Sequence, residues 1–158
     1  MTQGSASGDS LPNKSMKTAL TLSLLMTALP LAWADAVTEA AAKEPGAKVL
    51  PSGLVFRSLQ DGQGPQPAAK DTVKVHYRGT FPDGKEFDSS YKRNEAIEFP
   101  LQNVIPCWTE GVQLMKVGGK AKLTCPSQIA YGARGAGGVI PPHATLVFEV
   151  NLIAVAGK

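Results

Sequence analysis

The stretch Thr72-Val-Lys-Val-His-Tyr-Arg-Gly-Thr80 alternates apolar with charged or polar side chains. Its two valines and its tyrosine fall on one side of an extended chain, which is the pattern of a β-strand with one buried face. Pro82-Asp83-Gly84 follows as a turn, so residues 86–89 are expected to return as the partner strand of a hairpin. The stretch therefore predicts an antiparallel sheet.

Similar alternation in four further segments extends this sheet. These segments are residues 54–59, 97–101, 120–125 and 145–155. Apolar residues recur at helical spacing from Trp108, shortly after Pro106, which suits a first helical turn. Gly118-Gly119 then stops the pattern, so we predict one short helix over residues 106–115. Strands joined by hairpins, with one late helix, indicate an α+β fold in which an antiparallel β-sheet wraps around that helix.

The amino-terminal third predicts export. Met16-Lys17 precedes an apolar run over residues 19–31, and Ala32-Trp33-Ala34 presents small residues at the positions that a signal peptidase recognises. A membrane anchor is the alternative, but the run falls short of the roughly 20 apolar residues that cross a bilayer. We therefore predict a signal peptide over residues 16–34, cleaved before Asp35, and a periplasmic or secreted product that leaves the membrane.

The remaining boundaries follow from composition. Residues 1–15 are polar and precede the better initiator Met16, so we interpret them as an extension or a misassigned start. Residues 35–50 are rich in Ala and charged side chains and poor in large apolar ones, which predicts a flexible or weakly helical linker. The folded domain is then expected over residues 51–158.

The overall composition is that of an ordinary globular protein. The chain has 158 residues, is 43% hydrophobic and 18% charged, and carries a formal net charge of +3. Basic and acidic residues are interspersed, without the clustered basic run that is typical of DNA-binding proteins. We therefore expect no nucleic-acid partner.

Two cysteines, Cys107 and Cys125, remain after the predicted cleavage. Their spacing is not C-x-x-C, which disfavours a redox enzyme, and no neighbouring His makes them a zinc site, so no metal is expected. Cys107 lies at the predicted helix start, and Cys125 is in phase with the apolar face of its strand. Export favours a disulfide between the two sulfurs, because a thiol pair in contact would be oxidised there. Two buried free thiols are the alternative.

The usual catalytic constellations are missing from the sequence. His76 falls on the polar side of its strand, and His143 follows two prolines in a loop. No Gly-x-Ser-x-Gly occurs, and Gly135-Ala-Gly-Gly138 lacks the Lys-Ser/Thr ending of a phosphate-binding loop. The two histidines are therefore interpreted as surface or loop residues.

Large aromatic residues of the predicted domain provide the remaining signal. Five of them stand out: Tyr77, Phe87, Trp108, Tyr131 and Phe148. A hydrophobic core would account for any one of them. However, Trp108 starts a helix and Tyr131 opens a loop, and each ring carries a polar atom that needs a partner. This combination favours an aromatic pocket.

Six fragments, in order, carry a resemblance to a known family. They are Val75-His-Tyr-Arg-Gly-Thr80, Asp83-Gly-Lys-Glu-Phe-Asp-Ser-Ser90, Val104-Ile-Pro-Cys-Trp108, Gly111-Val112, Ala130-Tyr-Gly132 and Ile140-Pro-Pro-His-Ala-Thr-Leu-Val-Phe148. Together they closely resemble the FKBP-type peptidyl-prolyl cis/trans isomerases, over about residues 51–156. The resemblance implies a bent antiparallel sheet around a short helix, in agreement with the pattern of apolar residues.

The resemblance also implies a proline pocket. Trp108 is expected to form its floor and Asp88 to be its polar residue. The walls are expected from Tyr77, Phe87, Val104, Ile105, Tyr131 and Phe148. Val139 and Ile140 occupy the flanking apolar positions for substrate. The sequence departs from the family at Ile97, where a pocket Phe is common, and at Ala136, where some members have His.

The expected activity is acceleration of cis/trans isomerisation at X–Pro bonds during folding of exported proteins. No bond is broken, so no cofactor is expected. Proline-containing polypeptides are the expected substrates, and macrolides such as FK506 and rapamycin are possible inhibitors. Only a short linker precedes the domain, so we expect a monomer. The alternative is a holdase chaperone that uses the same cleft without useful catalysis.

Overall fold

The computed structural model describes residues 31–158, and for residues 31–35 it describes the backbone alone. Most of the predicted signal peptide therefore lies outside the described residues. Within them, seven strands form one antiparallel sheet in the order β1-β2-β6-β7-β3-β4, with β5 also paired to β3. The strands are β1 (Ala47–Val49), β2 (Val55–Gln60), β3 (Thr72–Thr80), β4 (Glu86–Ser89), β5 (Ile97–Pro100), β6 (Lys120–Cys125) and β7 (Leu146–Val155).

Two helices accompany the sheet, α1 (Leu31–Ala42) and α2 (Pro106–Val112). Helix α2 ends three residues before the predicted end. Its last turn tightens there, because the N–H groups of Leu114 and Met115 each bond to a carbonyl three residues earlier. No helix within residues 31–158 is long and apolar enough to cross a membrane.

The core lies between α2 and one face of the sheet. Val73, Val75 and Tyr77 of β3 are buried, as the alternation predicts, while the residues between them are exposed or half-buried. Helix α2 approaches β6 closely at Gly111, where an added Cβ would lie 2.9 Å from the Leu123 side chain. A larger residue at this position would push the helix away from the sheet.

The predicted linker, residues 35–50, is structured and corrects the sequence interpretation. It contains most of α1 and all of β1, so the sheet begins before residue 51. The Glu44 carboxylate accepts hydrogen bonds from Lys122 at 2.6 Å and from Arg57 at 2.8 Å. The bond from Lys122 is the main cause that lowers the pKa of Glu44. The contact between Glu44 and Lys122 spans 78 residues of sequence, so local composition could not predict it.

A disulfide joins Cys107, in the first turn of α2, to Cys125, at the end of β6. Both residues are fully buried, and their Cα atoms lie 5.9 Å apart. This separation is within the usual range for a disulfide. The sequence favoured this bond over two free thiols, and the structure contains it. The bond fixes the helix start, immediately before Trp108, to the sheet.

Replacing both cysteines with alanine is expected to lower the free energy of unfolding by about 3 kcal/mol, because the bond closes a loop of moderate length in the unfolded chain. Urea denaturation of the purified protein measures this loss. Reduction of the wild-type protein breaks the crosslink but keeps both sulfur atoms. The reduced protein should lose stability to a similar extent, which would assign the loss to the crosslink and not to the packing of the sulfurs. Two reactive thiols in the unfolded, unreduced protein would contradict the disulfide.

Candidate active site

The site begins where one edge of β3 changes partners. Residues Thr72–Val75 of β3 pair with β5, and Arg78–Thr80 pair with β4. At the gap, Ser90 replaces a strand partner: its Oγ accepts from the Tyr77 N–H at 2.8 Å, and its own N–H donates to the Tyr77 carbonyl at 3.0 Å. The two short strands therefore diverge beside Tyr77 without leaving its backbone unpaired.

A cavity of about 600 Å³ lies beside this gap, a volume typical of small-molecule and peptide sites. It is bounded by β3, β4, β5, the start of α2, β7 and the loop after β6. Its lining residues are Tyr77, Phe87, Asp88, Ile97, Glu98, Phe99, Asn103, Val104, Ile105, Trp108, Tyr131 and Phe148.

Trp108 is the centre of an aromatic cluster. Tyr77 and Phe148 meet its ring edge-to-face, with ring centroids 5.2 and 5.3 Å away, and Phe99 packs at 5.3 Å with a tilt. Phe87 in turn meets Phe148 edge-to-face at 5.7 Å. Such pairs stabilise one another beyond the effect of burial alone. The walls therefore have a fixed shape, and Trp108 is 95% buried with only 5% of its surface exposed.

Gly79 of β3 makes room for two of these rings. A Cβ at this position would lie 2.6 Å from Phe87 and 3.0 Å from Phe148. Both distances are too short for carbon atoms in contact. Any larger residue at position 79 would displace the rings that form this wall.

A polar cluster stands at the edge of the aromatic walls. The Tyr77 hydroxyl donates to one Asp88 oxygen, and Arg93 donates to the other at 2.6 Å. Arg93 also donates to the Tyr77 oxygen at 3.2 Å. Each member therefore bonds to the other two. The Asp88 charge is therefore compensated within the cluster.

The pKa shifts of this cluster follow from its contacts. Burial raises the pKa of Asp88, but the hydrogen bonds from Tyr77 and Arg93 outweigh it, so the pKa of that carboxyl is lowered. Burial, followed by the bond to Asp88, raises the pKa of Tyr77. Burial and the nearby Asp88 charge also raise the pKa of Tyr131. At neutral pH Asp88 is therefore ionised, and both tyrosine hydroxyls keep their protons.

Three hydrogen-bond donors line the cavity without a partner within residues 31–158. Two have no acceptor among the described residues, and the third has none within its helix. The Trp108 Nε1 atom is buried without a hydrogen-bond partner in the described part of the chain. Tyr131 is 38% exposed, and its hydroxyl bonds to no described residue. Ile105 is the N-cap of α2, so its N–H has no partner within the helix. The cavity therefore offers hydrogen bonds to an entering carbonyl.

Nine sequence-predicted site residues line the cavity together. They are Tyr77, Phe87, Asp88, Ile97, Val104, Ile105, Trp108, Tyr131 and Phe148. The two flanking positions do not line it. Ala136 and Ile140 form a small bridge that turns the Ile140 side chain into the core, at 7% exposure, and leaves Val139 56% exposed to solvent. Val139 and Ile140 therefore lie outside the cavity lining, and their contact with substrate at flanking positions stays a prediction.

Sequence reasoning missed Arg93 and Phe99. Phe99 follows Ile97 by two residues on a predicted strand, so period-two alternation would have placed both on one face. Arg93 gave no comparable signal, because it lies in an irregular turn and bonds to Asp88 five residues earlier, outside any periodic pattern. Asn103 and Glu98 also line the cavity without having been predicted.

The described residues include no group of three or more His, Cys, Asp or Glu that would suit a metal ion. His76 bonds through Nδ1 to Ser90 Oγ at 2.8 Å and stacks on Tyr91, with centroids 4.7 Å apart. His143 is exposed in its loop. Neither histidine lines the cavity, so the site holds no histidine general base.

The sheet, its short helix and the aromatic cavity between them define a cleft that suits an apolar segment of peptide. Residues 64–153, more than half of the chain, match the family model described as FKBP-type peptidyl-prolyl cis-trans isomerase. The chain belongs to this family. All the cavity-lining residues fall within the matched segment.

Relatives and solved structures agree with this assignment. The chain is 52% identical over 114 residues to the FKBP-type 22 kDa peptidyl-prolyl cis-trans isomerase of Escherichia coli K12, covering 72% of this chain and 55% of that protein. The crystal structure of FkpA from Escherichia coli superposes with a TM-score of 0.76 at 48% identity, covering 79% of this chain and 58% of the other. The chain thus spans little more than half the length of these two proteins.

A crystal structure of a peptidyl-prolyl cis-trans isomerase from Pseudomonas syringae pv. tomato matches over nearly its whole length. The TM-score is 0.73 at 41% identity, and the match covers 82% of this chain and 98% of that one. The described fold is therefore close to that of a complete solved chain in the same family.

Substituting Arg93 by Gln is expected to raise the pKa of Asp88, because the guanidinium that stabilises the carboxylate is removed. A carboxyl group whose pKa is lower in the folded than in the unfolded protein stabilises the fold at pH values above its ordinary pKa of 3.8. This contribution is lost as the pH falls through the folded-state pKa. The variant should therefore lose less stability on acidification than wild type.

Carbon-detected NMR titration of the Asp88 carboxyl measures the shift directly. Arg93→Lys is the matched control, since it keeps the charge but loses the paired donors, and it should give a smaller rise. An Asp88 titration that is identical in wild type and Arg93→Gln would contradict the assigned cluster.

Proposed function

We propose that this protein is a peptidyl-prolyl cis/trans isomerase that accelerates X–Pro isomerisation during the folding of exported proteins. The observation that carries the proposal is the aromatic cavity over Trp108, with free hydrogen-bond donors at its edge. Membership of the family supports the same activity. Proline-containing polypeptides are the proposed substrates.

The reaction needs shape and polarity rather than a nucleophile. Rotation about a peptide C–N bond passes through a twisted amide that has lost its resonance, at a cost of about 18–20 kcal/mol. The planar amide is the more polar state, so an apolar cavity disfavours it relative to the twisted one. Groups that bind the twisted amide more tightly than the planar one accelerate the step without any bond breaking.

We assign the hydrogen bonds to Tyr131 and Ile105. The Tyr131 hydroxyl keeps its proton at neutral pH because its pKa is raised, and it has no acceptor among the described residues. The Ile105 N–H stands at the start of α2, where the helix leaves it unpaired. In the proposed mechanism, these donors bind carbonyl oxygens of the substrate as the amide twists.

The remaining residues have supporting roles in the proposal. Trp108 forms the floor against which the proline ring packs, and Tyr77, Phe87 and Phe148 form the walls. Asp88 holds Tyr77 in position through the Arg93 cluster and does not exchange a proton. Val104 and Ile97 contact the residue next to proline.

The setting of the activity is proposed on the sequence. Residues 16–34 direct export, and the processed protein acts in the periplasm or outside the cell as a monomer without a cofactor. Macrolides such as FK506 and rapamycin are proposed to compete for the aromatic cavity. Ile97, in place of a pocket Phe, is expected to change macrolide affinity more than the chemistry.

Tyr131→Phe is expected to lower kcat/KM for a prolyl tetrapeptide about tenfold, because one transition-state hydrogen bond contributes about 1.4 kcal/mol. Trp108→Ala should lower it further by removing the floor. A protease-coupled isomerase assay measures both, with circular dichroism to establish that each variant is folded. Tyr91→Phe is the matched control, since Tyr91 is 50% exposed and lies outside the cavity.

Full activity in both Tyr131→Phe and Trp108→Ala would overturn the pocket assignment. If the wild-type protein binds unfolded chains but shows no catalysis in this assay, the holdase alternative would replace the isomerase proposal.

The export proposal is tested by mass spectrometry of the secreted or periplasmic fraction. Cleavage after the small residues Ala32 and Ala34 should give Asp35 as the new amino terminus. Alteration of Ala34 to a bulky residue such as Phe should leave the precursor unprocessed. Recovery of the unaltered protein from membranes with Met16 still attached would show that the apolar run is an anchor.

A further inference from the structure

A second concave surface shares Val104 with the cavity. It encloses about 690 Å³ and lies between α2 and the loop that follows β1. We call this surface the α2 groove. The lining residues used below are Leu50, Val104, Pro106, Thr109, Leu114 and Ile129.

Hydrogen bonds hold the walls of the α2 groove in place. Ser52, in the loop after β1, donates to the Glu110 carboxylate on α2. Gln66 donates through Nε2 to the Gln113 carbonyl at 2.5 Å, and Gln113 donates to the Thr109 carbonyl at 2.8 Å. The groove is therefore formed before anything binds to it, which reduces the entropy lost on binding.

The α2 groove combines apolar side chains with uncharged polar ones and a single charge. Leu114 is 41% exposed there, an unusual position for a large apolar side chain, beside Leu50, Ile129 and Pro106. Glu110 is the one charged residue that lines it, and its carboxylate already accepts a bond from Ser52. Such a surface favours an apolar segment of polypeptide over a nucleic acid or an ionic ligand.

We propose that the α2 groove binds the apolar residues that flank the proline of an unfolded polypeptide while the proline occupies the aromatic cavity. This inference rests on the proposed function and specifies its substrate class. Val104 lines both surfaces, so the two are continuous. An extended chain advances about 3.3 Å per residue, so the groove takes residues a few positions from the proline.

The groove explains how one enzyme would favour unfolded proteins over short peptides. A tetrapeptide fills the aromatic cavity and ends there. A longer chain with leucine or valine near its proline also covers Leu114, and this additional burial tightens binding. The added contact is the same before and after the amide twists, so it lowers KM and leaves kcat unchanged.

The test compares Leu114→Gln with Leu59→Gln. Both leucines are exposed to nearly the same extent, 41% and 42%, but Leu59 lies on β2 outside the groove. The probes are a labelled prolyl tetrapeptide and the same sequence extended at both ends with leucine-containing segments. Fluorescence anisotropy gives the Kd of each probe, and the isomerase assay gives KM and kcat.

We expect Leu114→Gln to raise the Kd and KM of the extended probe about three- to tenfold while leaving its kcat and all tetrapeptide values unchanged. Leu59→Gln should change neither probe. Two results would overturn the proposal for the groove. In one, wild type binds the extended probe no more tightly than the tetrapeptide. In the other, Leu114→Gln weakens the binding of both probes equally.

The outcomes separate the groove from the proposed function. Wild-type protein without isomerase activity would overturn the function, while the anisotropy titration of the extended probe still decides the groove. Sedimentation of wild type and Leu114→Gln tests the competing occupant, a second copy of the chain. A dimer that is lost in Leu114→Gln would assign the surface to self-association and overturn the groove.

Discussion

Helix α2 lies against β6 at a distance that depends on the missing side chain of Gly111, and the Cys107–Cys125 bond holds the first turn of the helix to the same strand. Trp108 follows Cys107 directly, so this contact sets how far its ring stands from the sheet. The rings of Tyr77, Phe148 and Phe99 are packed against Trp108, and Phe87 against Phe148. The shape of the cavity therefore depends on how closely one short helix packs against one strand.

The cavity separates its charges from its apolar walls. Asp88 is ionised, but its oxygens are both occupied, by Tyr77 and by Arg93, at the edge of the site. An unpaired carboxylate in this position would attract water and favour the planar, more polar amide. The free donors, in contrast, lack acceptors of their own, so an entering carbonyl displaces no internal hydrogen bond. An apolar cleft can in this way remain dry and still orient a peptide.

Much of this arrangement could be predicted from the sequence. The period-two pattern located β3 and β6 with the observed bounds, and the turn after β3 located β4. The family resemblance identified nine of the residues that line the cavity. The failures share a physical cause. Glu44, between α1 and β1, bonds to Lys122 from 78 residues away. Arg93 bonds to Asp88 from an irregular turn. No periodic pattern encodes either contact.

The disulfide also has a mechanical consequence. When a chain is pulled from its two ends, each residue adds up to about 3.5 Å of length. The bond bypasses a separation of 18 residues, so the stretched protein would be shorter by roughly 60 Å. The bypassed segment contains Trp108 and nearly all of β6. In the stretched chain, tension therefore passes through the bond, and the bypassed segment with the floor of the cavity carries no load.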